Sequence, residues 1–158
     1  MPSLDLYVAP LNKATRGGER FIFHPALLSK ALSEAMRSSD VLSKLAQGRL
    51  PSSFEMNYVF RCSKFVSGDA MFTSHLDTPY YDSERSQVSR YTLLIYLTAG
   101  RNEPALRVCD VELNEIEGMT CVIFNQSYEH EGRPFMEGDK ISVRGELVFK
   151  DKELGHSS

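Results

Sequence analysis

The sequence predicts a mainly β, α+β fold in which a short helical layer covers one face of a β-sandwich or jelly roll. Three observations lead there. Helical periodicity is confined to residues 25–48, everything after residue 54 reads as strands and turns, and glycines and prolines fall in the gaps between those strands. No internal repeat or low-complexity segment interrupts the pattern.

Taken in order, Leu4 to Val8 and Arg20 to Phe23 are β-like runs separated by a polar turn at Arg16-Gly17-Gly18. From Pro25 to Gly48 the apolar residues Leu28, Leu32, Ala35 and Met36 recur at helical spacing. Pro25 suits a first helical turn and Gly48 a C-terminal stop, while Ser38-Ser39-Asp40 can cap a second short helix carrying Val41, Leu42 and Leu45. Six strands follow: Glu55 to Phe65, Ala70 to Ser74, Arg90 to Thr98, Ala105 to Leu113, Thr120 to Asn125 and Lys140 to Lys150. Gly68, Pro79, Gly100, Gly118, Gly132 and Gly138 separate them. Residues 78–89 are polar and read as a mobile loop, and residues 151–158 as a frayed tail.

With 158 residues the chain fits one domain. Residues 1–53 form its N-terminal strands and supporting helices, and 54–150 its β core. The net charge of −3 comes from interspersed signs, and no Lys/Arg block could neutralise a run of phosphates, which disfavours nucleic acid as a partner. A single flipped base in a pocket stays open. Cys62, Cys109 and Cys121 are odd in number and unpatterned, which reads as reduced, mostly buried thiols of a cytosolic protein. No stretch has the length and apolarity of a membrane span or a secretion signal, so a cytoplasmic protein is expected. The oligomeric state is left open.

The chemistry-bearing positions come in a fixed order. In His75-Leu76-Asp77 on an extended segment, residues i and i+2 project to one side, so both side chains can reach a single ion. Alone this is a weak signal, equally met by a strand-end turn with a capping Asp. His130 lies beyond the apolar run Val122-Ile123-Phe124, in a setting where a solvated turn histidine is the commoner case. The segment that follows changes the balance. Lys140, Ser142 and Arg144 share one face of a strand, and Ile141, Val143, Leu147 and Phe149 the other. If the apolar face packs under the helices, two cations point into the sheet's interior and need an anionic partner, which a dicarboxylate co-substrate would supply. On Arg90 to Thr98 the same alternation puts Thr92, Leu94 and Tyr96 together, a hydroxyl beside an apolar wall. Two imidazoles and one carboxylate form the facial set that leaves three positions of Fe(II) open.

Together these segments resemble the 2-oxoglutarate/Fe(II)-dependent oxygenase superfamily, specifically its prolyl 4-hydroxylase-like branch. The likeness is carried by Phe65-x-x-Gly68, His75-Leu76-Asp77, Thr92 to Leu97, Phe124, His130-Glu-Gly-Arg-Pro, and Gly138-x-Lys140, over roughly residues 55–149. The resemblance implies a double-stranded β-helix (jelly-roll, cupin-like) with the N-terminal helices on its major sheet. It implies His75, Asp77 and His130 as metal ligands, and Lys140 paired with the C5 carboxylate of 2-oxoglutarate with help from Tyr96. Arg144 is an alternative for that role or a holder of an acidic substrate, and Thr92 and Leu94 line the co-substrate site. The implied reaction uses Fe(II), 2-oxoglutarate and O2 to hydroxylate a C–H of a peptidyl substrate, prolyl included, or of a small molecule, releasing succinate and CO2. Residues 78–89 would act as a partial lid with Tyr80, Tyr81 and Arg85 touching the substrate. The chain departs from the family where Asn102 to Cys109 replaces a Gly-Gly-x-Thr-x-Phe segment, and where Phe65 stands for a common tyrosine. Two other readings compete: a non-catalytic β-helix binding or sensing module, and a cupin-like enzyme using Zn or Mn.

Overall fold

A computed structural model describes residues 7–8, 19–45 and 54–150. The elements run β1 (Tyr7–Val8), β2 (Glu19–Phe23), α1 (Ala26–Ser38), α2 (Val41–Leu45), β3 (Phe54–Met56), β4 (Phe60–Phe65), β5 (Phe72–His75), β6 (Tyr81–Asp82) and β7 (Gln87–Tyr96). They continue with β8 (Gly100–Val108), β9 (Val111–Ile116), β10 (Thr120–Asn125), β11 (His130–Gly132) and β12 (Lys140–Lys150). Two antiparallel sheets result. The major sheet has the order β1-β2-β4-β12-β7-β10, with β3 also on β12 and β6 on β7, and the minor sheet has the order β5-β11-β8-β9. This is a mainly β jelly roll.

The alternation along β12 decides what each face of the major sheet does. Val143, Leu147 and Phe149 are buried on the outer side with Phe54, Met56, Phe60, Leu93, Ile95 and Met36, and Leu28, Leu32 and Val41 of the helices pack against them. Burying each such side chain contributes roughly 1.5–3 kcal/mol. Between the sheets lies a second, smaller cluster built from Tyr96, Ala105, Leu106, Ile116 and Phe135. The inner face of β12 is left to Lys140, Ser142 and Arg144.

The helical stretch divides at the expected serines into α1 and α2. Among the described residues α1 stops at Ser38, where Ser39 turns extended and both Ser38 and Ser39 hydroxyls donate to carbonyls of the last turn. Serine side chains compete for backbone groups in this way and end helices. Gly48, read as the stop, lies outside the described residues, as do Leu4 to Leu6 of the first strand and the 151–158 tail. Ala35 is exposed, and its place on the buried stripe belongs to Ser33. The Ser33 hydroxyl accepts the Met56 N–H (2.9 Å) and donates to the Ser29 carbonyl, while Ser29 Oγ donates to the Met56 carbonyl (2.8 Å). Two serines thus dock α1 onto β3.

Three strand assignments are corrected. The run Glu55 to Phe65 divides into β3 and β4 at Asn57, whose N–H donates to the Glu146 carbonyl (2.7 Å) instead of continuing one ladder. Ala105 to Leu113 is a hairpin, β8 and β9, turning at Cys109 with φ +52°. The apolar alternation runs through that turn without Gly or Pro, so periodicity cannot detect it. The stretch 78–89, read as a loop, contains β6 paired with the start of β7 (Tyr81 opposite Val88). Of the cysteines only Cys62 is buried; Cys109 and Cys121 are exposed, and all three are free.

Gly100, at the start of β8, carries a prediction. A Cβ there would lie 2.2 Å from the ring of Phe135, which is 1% exposed. Gly100→Ala should destabilise the fold by about 1–3 kcal/mol, the usual cost of overpacking, read as a lower midpoint in urea unfolding at unchanged slope. An unchanged midpoint would show that Phe135 has room to move.

Candidate metal centre

The site begins with one strand pairing. β5 and β11 are antiparallel neighbours in which His75 and His130 are direct partners, so the two imidazoles stand side by side with ring centroids 4.2 Å apart. Phe72 packs on His75 (3.8 Å) and Phe124 on His130 (4.7 Å). Each Nδ1 faces the carbonyl two residues earlier, Thr73 O at 2.7 Å and Tyr128 O at 3.0 Å. A carbonyl can only accept, so each Nδ1 carries a proton and each Nε2 is the atom turned to the pocket, whose lone pair a bound metal would take.

Asp77 completes the set from just beyond β5. Its Oδ1 is 3.7 Å from His75 Nε2 and 3.5 Å from His130 Nε2. The three ligand atoms lie within 4.8 Å of one another. Bonds of about 2.0–2.2 Å to one ion require donor atoms no more than about 4.4 Å apart, and the two nitrogen–oxygen separations satisfy this. The residues present therefore fit a divalent metal with open positions on the pocket side.

The carboxylate is held from behind by a buried relay. Thr92 Oγ1 donates to Asp77 Oδ2 (2.6 Å), Gln126 Nε2 donates to Thr92 Oγ1 (3.3 Å), and Ser89 Oγ donates to Gln126 Oε1 (2.7 Å). Ser89 and Thr92 are fully buried and Gln126 is 2% exposed. On the other side Arg144 Nη2 lies 3.1 Å from Asp77 Oδ1. Burial alone would raise the Asp77 pKa, but His130, Arg144 and Thr92 outweigh it and bring it down to about 2. Asp77 is anionic at any working pH.

Lys140 stands at the far end of the same pocket, 5% exposed. Its ammonium donates to the carbonyls of Ala105 (2.5 Å) and Arg133 (2.6 Å) and lies 5.7 Å from the ring centres of Tyr96 and Phe135. Burial lowers its pKa to about 8. Two of its three N–H donors are used by carbonyls, which leaves one for a ligand. The Tyr96 hydroxyl, whose pKa burial raises, has no hydrogen-bond partner among the described residues.

The pocket is lined by eight of the residues singled out from the sequence: His75, Asp77, Thr92, Leu94, Tyr96, His130, Lys140 and Arg144. Phe65 and Leu106 add apolar wall, so the segment that departs from the family pattern still closes the pocket. Tyr80, Tyr81 and Arg85 stand elsewhere. Tyr80 Oη donates to Asp82 Oδ2 (3.3 Å), Tyr81 sits in β6, and Arg85 lies over the Tyr58 ring at 5.4 Å. The hairpin pairing that replaces the expected loop holds all three off the pocket lining.

Sequence reasoning missed Ser89 and Gln126, which periodicity treats as an ordinary strand residue and a turn residue. Gly132, placed by the sequence in a gap between strands, instead ends β11 beside Lys140, whose ammonium a Cβ there would meet at an ordinary 3.5 Å.

No protein-family model and no curated protein sequence matches the chain. Solved structures do. A viral collagen prolyl hydroxylase from Paramecium bursaria Chlorella virus-1, in complex with 2-oxoglutarate, superposes with TM-score 0.59 at 14% identity, over 85% of this chain and 80% of that one. A prolyl-4-hydroxylase from Pseudomonas putida gives 0.55 at 20% identity, over 89% and 76%. The fold is that of the 2-oxoglutarate/Fe(II) oxygenases. A third member of this fold, a Trichoplax adhaerens prolyl hydroxylase in complex with a hypoxia-inducible-factor peptide fragment, matches with TM-score 0.53 at 18% identity, over 95% and 70%. No described helix is long and apolar enough to cross a membrane.

The buried relay makes a testable claim about this oxygenase fold. Thr92→Val keeps the volume but removes the donor to Asp77 Oδ2, so the affinity for Fe(II) or Mn(II) should fall about 10-fold, the lower end for loss of a ligand-orienting hydrogen bond. Anaerobic metal titration reads it, and an unchanged constant would make the contact incidental.

Proposed function

We propose that the protein is a non-haem Fe(II)- and 2-oxoglutarate-dependent oxygenase that hydroxylates a C–H bond of a peptidyl or small-molecule substrate. The observation that supports it most is the convergence of two histidines and one carboxylate in one pocket with a buried lysine. His75, Asp77 and His130 would hold the metal. Lys140 is the better partner for the C5 carboxylate because Arg144 is already engaged by Asp77 and Glu146 (3.1 and 3.3 Å), whereas Lys140 keeps a free donor beside the unpaired Tyr96 hydroxyl. With iron and 2-oxoglutarate bound, the site would supply oxidative decarboxylation by O2, giving succinate and CO2 while one oxygen atom enters the substrate C–H.

The chain's own residues do the rest. Phe65, Leu94 and Leu106 exclude water from the keto acid's carbon chain. Thr92 and the two histidine-facing carbonyls fix ligand orientation, so the metal site is set before substrate arrives. A non-catalytic sensing module would need neither the complete ligand set nor its aligned supports, and a zinc hydrolase would need no buried cation across the pocket.

The test is direct. Purified protein, Fe(II) and 2-oxoglutarate mixed without oxygen should develop the weak visible charge-transfer band of the chelate, and admission of air should then produce succinate. Absence of both signals in folded, metal-binding protein would sink the proposal.

A further inference from the structure

The inner face of the major sheet carries more positive charge than a metal and a keto acid account for. Arg144 on β12 lies directly opposite Arg61 on β4, and on β2 Arg20 lies opposite Ser63, two residues from Arg61 on the same face. Direct cross-strand partners have Cβ atoms about 4.5–5.5 Å apart and diagonal ones sit within about 8 Å, so three guanidinium groups form one row. Like charges in that position destabilise a sheet.

Their acceptors are few. Glu146 Oε1 is shared by Arg144 at 3.3 Å and Arg61 at 3.6 Å, and Asp77 Oδ1 is a ligand the metal would claim. Arg20 has no acidic partner among the described residues, and the buried Nε atoms of Arg20 and Arg144 have no hydrogen-bond partner. Burial, then Arg61 and Arg144, lower the Arg20 pKa. Three guanidinium charges therefore face one carboxylate, Glu146, that a metal would not claim. The row is also reachable, since the Arg61 side chain is 28% exposed and that of Arg144 19%.

Position assigns the row to the substrate and not to the co-substrate. Lys140 and Arg144 are four residues apart on one strand, roughly 13 Å, with Asp77 at the Arg144 end. A keto acid reaching from Lys140 to the metal runs along β12, and this leaves Arg61, level with Arg144 on the next strand, and Arg20, level with Ser142 one strand further, to the side of that path, from which a substrate would approach the metal. We infer that the substrate carries an oxyanion, a carboxylate or a phosphate, that docks on Arg20 and Arg61 beside Arg144. Guanidinium forks match both groups with paired, charge-assisted hydrogen bonds. The inference rests on the oxygenase reading for what happens to that substrate.

Calorimetric titration of the protein loaded with Mn(II) and saturating 2-oxoglutarate tests it, with phenyl phosphate, phenylacetate and neutral phenylacetamide as probes. At least one anion should bind, the tighter one naming the group, and the amide should not. Arg20→Gln and Arg61→Gln should each weaken that anion about tenfold, as loss of a charge-assisted hydrogen bond does, while Arg61→Lys should recover part. The 2-oxoglutarate titration of every variant reports whether the pocket is intact. Should Arg61→Gln fail to fold, Arg20→Gln carries the test, because Arg20 makes no ion pair among the described residues. Equal binding of amide and anions, no anion binding, or wild-type affinity in both glutamine variants overturns the inference. If 2-oxoglutarate itself does not bind, the oxygenase reading fails instead. The arginine row is then tested by the same probes on metal-free protein, where wild-type affinity in Arg20→Gln again refutes it.

Discussion

His130→Ala should remove the Fe(II)/2-oxoglutarate absorption band and reduce succinate formation to background. Three donors from two segments make the site, and loss of His130 leaves only His75 and Asp77, two residues apart, which offer no facial set. Removing a ligand costs more than the 10- to 100-fold seen when only its outer support is lost, so metal affinity should fall by more than about 100-fold. Anaerobic titration with Fe(II) measures it directly. The ring of His130 also fills space beside Phe124 and His75, so the variant's unfolding midpoint must be recorded alongside. A band of undiminished intensity in folded His130→Ala protein would remove this residue from the metal and the assignment with it.

The second large effect belongs to Lys140. Lys140→Met keeps the length and apolar stem but leaves a buried C5 carboxylate without its cation, a loss of roughly 2–5 kcal/mol and so about 30-fold or more in the dissociation constant for 2-oxoglutarate. Metal affinity without the keto acid should hold, because Lys140 touches no ligand of the metal. The pH dependence follows from the lysine's pKa near 8 in the ligand-free protein. Below that value the ammonium is present and affinity is flat; above it the free protein loses the proton that binding needs. Affinity should then fall by up to tenfold per pH unit. The same shift has the opposite sign for folding. A lysine whose folded pKa is depressed holds fewer protons than the unfolded chain between about pH 8 and 10.5, so the ligand-free protein gains stability across that window. A flat pH profile for 2-oxoglutarate binding, combined with full affinity in Lys140→Met, would transfer the carboxylate to Arg144.

Much of the site was readable before any coordinates because short-range geometry carries it. On a strand, i and i+2 share a face whatever the fold, so Thr92, Leu94 and Tyr96 had to travel together, as did Lys140, Ser142 and Arg144. The relay behind Asp77 was not readable. Ser89 and Gln126 act through contacts 37 residues apart, and nothing in their neighbourhoods distinguishes them from other polar strand and turn residues. The substrate side fared worst. Tyr80, Tyr81 and Arg85 looked available because the stretch is polar, but the pairing of Tyr81 with Val88 turns that stretch into a hairpin held on Asp82, Ser89 and Tyr58.

Local pattern alone therefore decided the class of fold, the inward face of β12 and the shared side of His75 and Asp77, since each follows from a period of two residues, whereas His130 was joined to them only by the resemblance to the oxygenase family. Tertiary structure alone decided that His75 meets His130, that Arg144 is spent on Asp77 while Lys140 keeps a donor, and that Arg20 joins Arg61 in a row. Those outcomes depend on which strands become neighbours and in what register, and the pairing of segments dozens of residues apart is chosen by the burial of the whole sheet and not by any one of its strands.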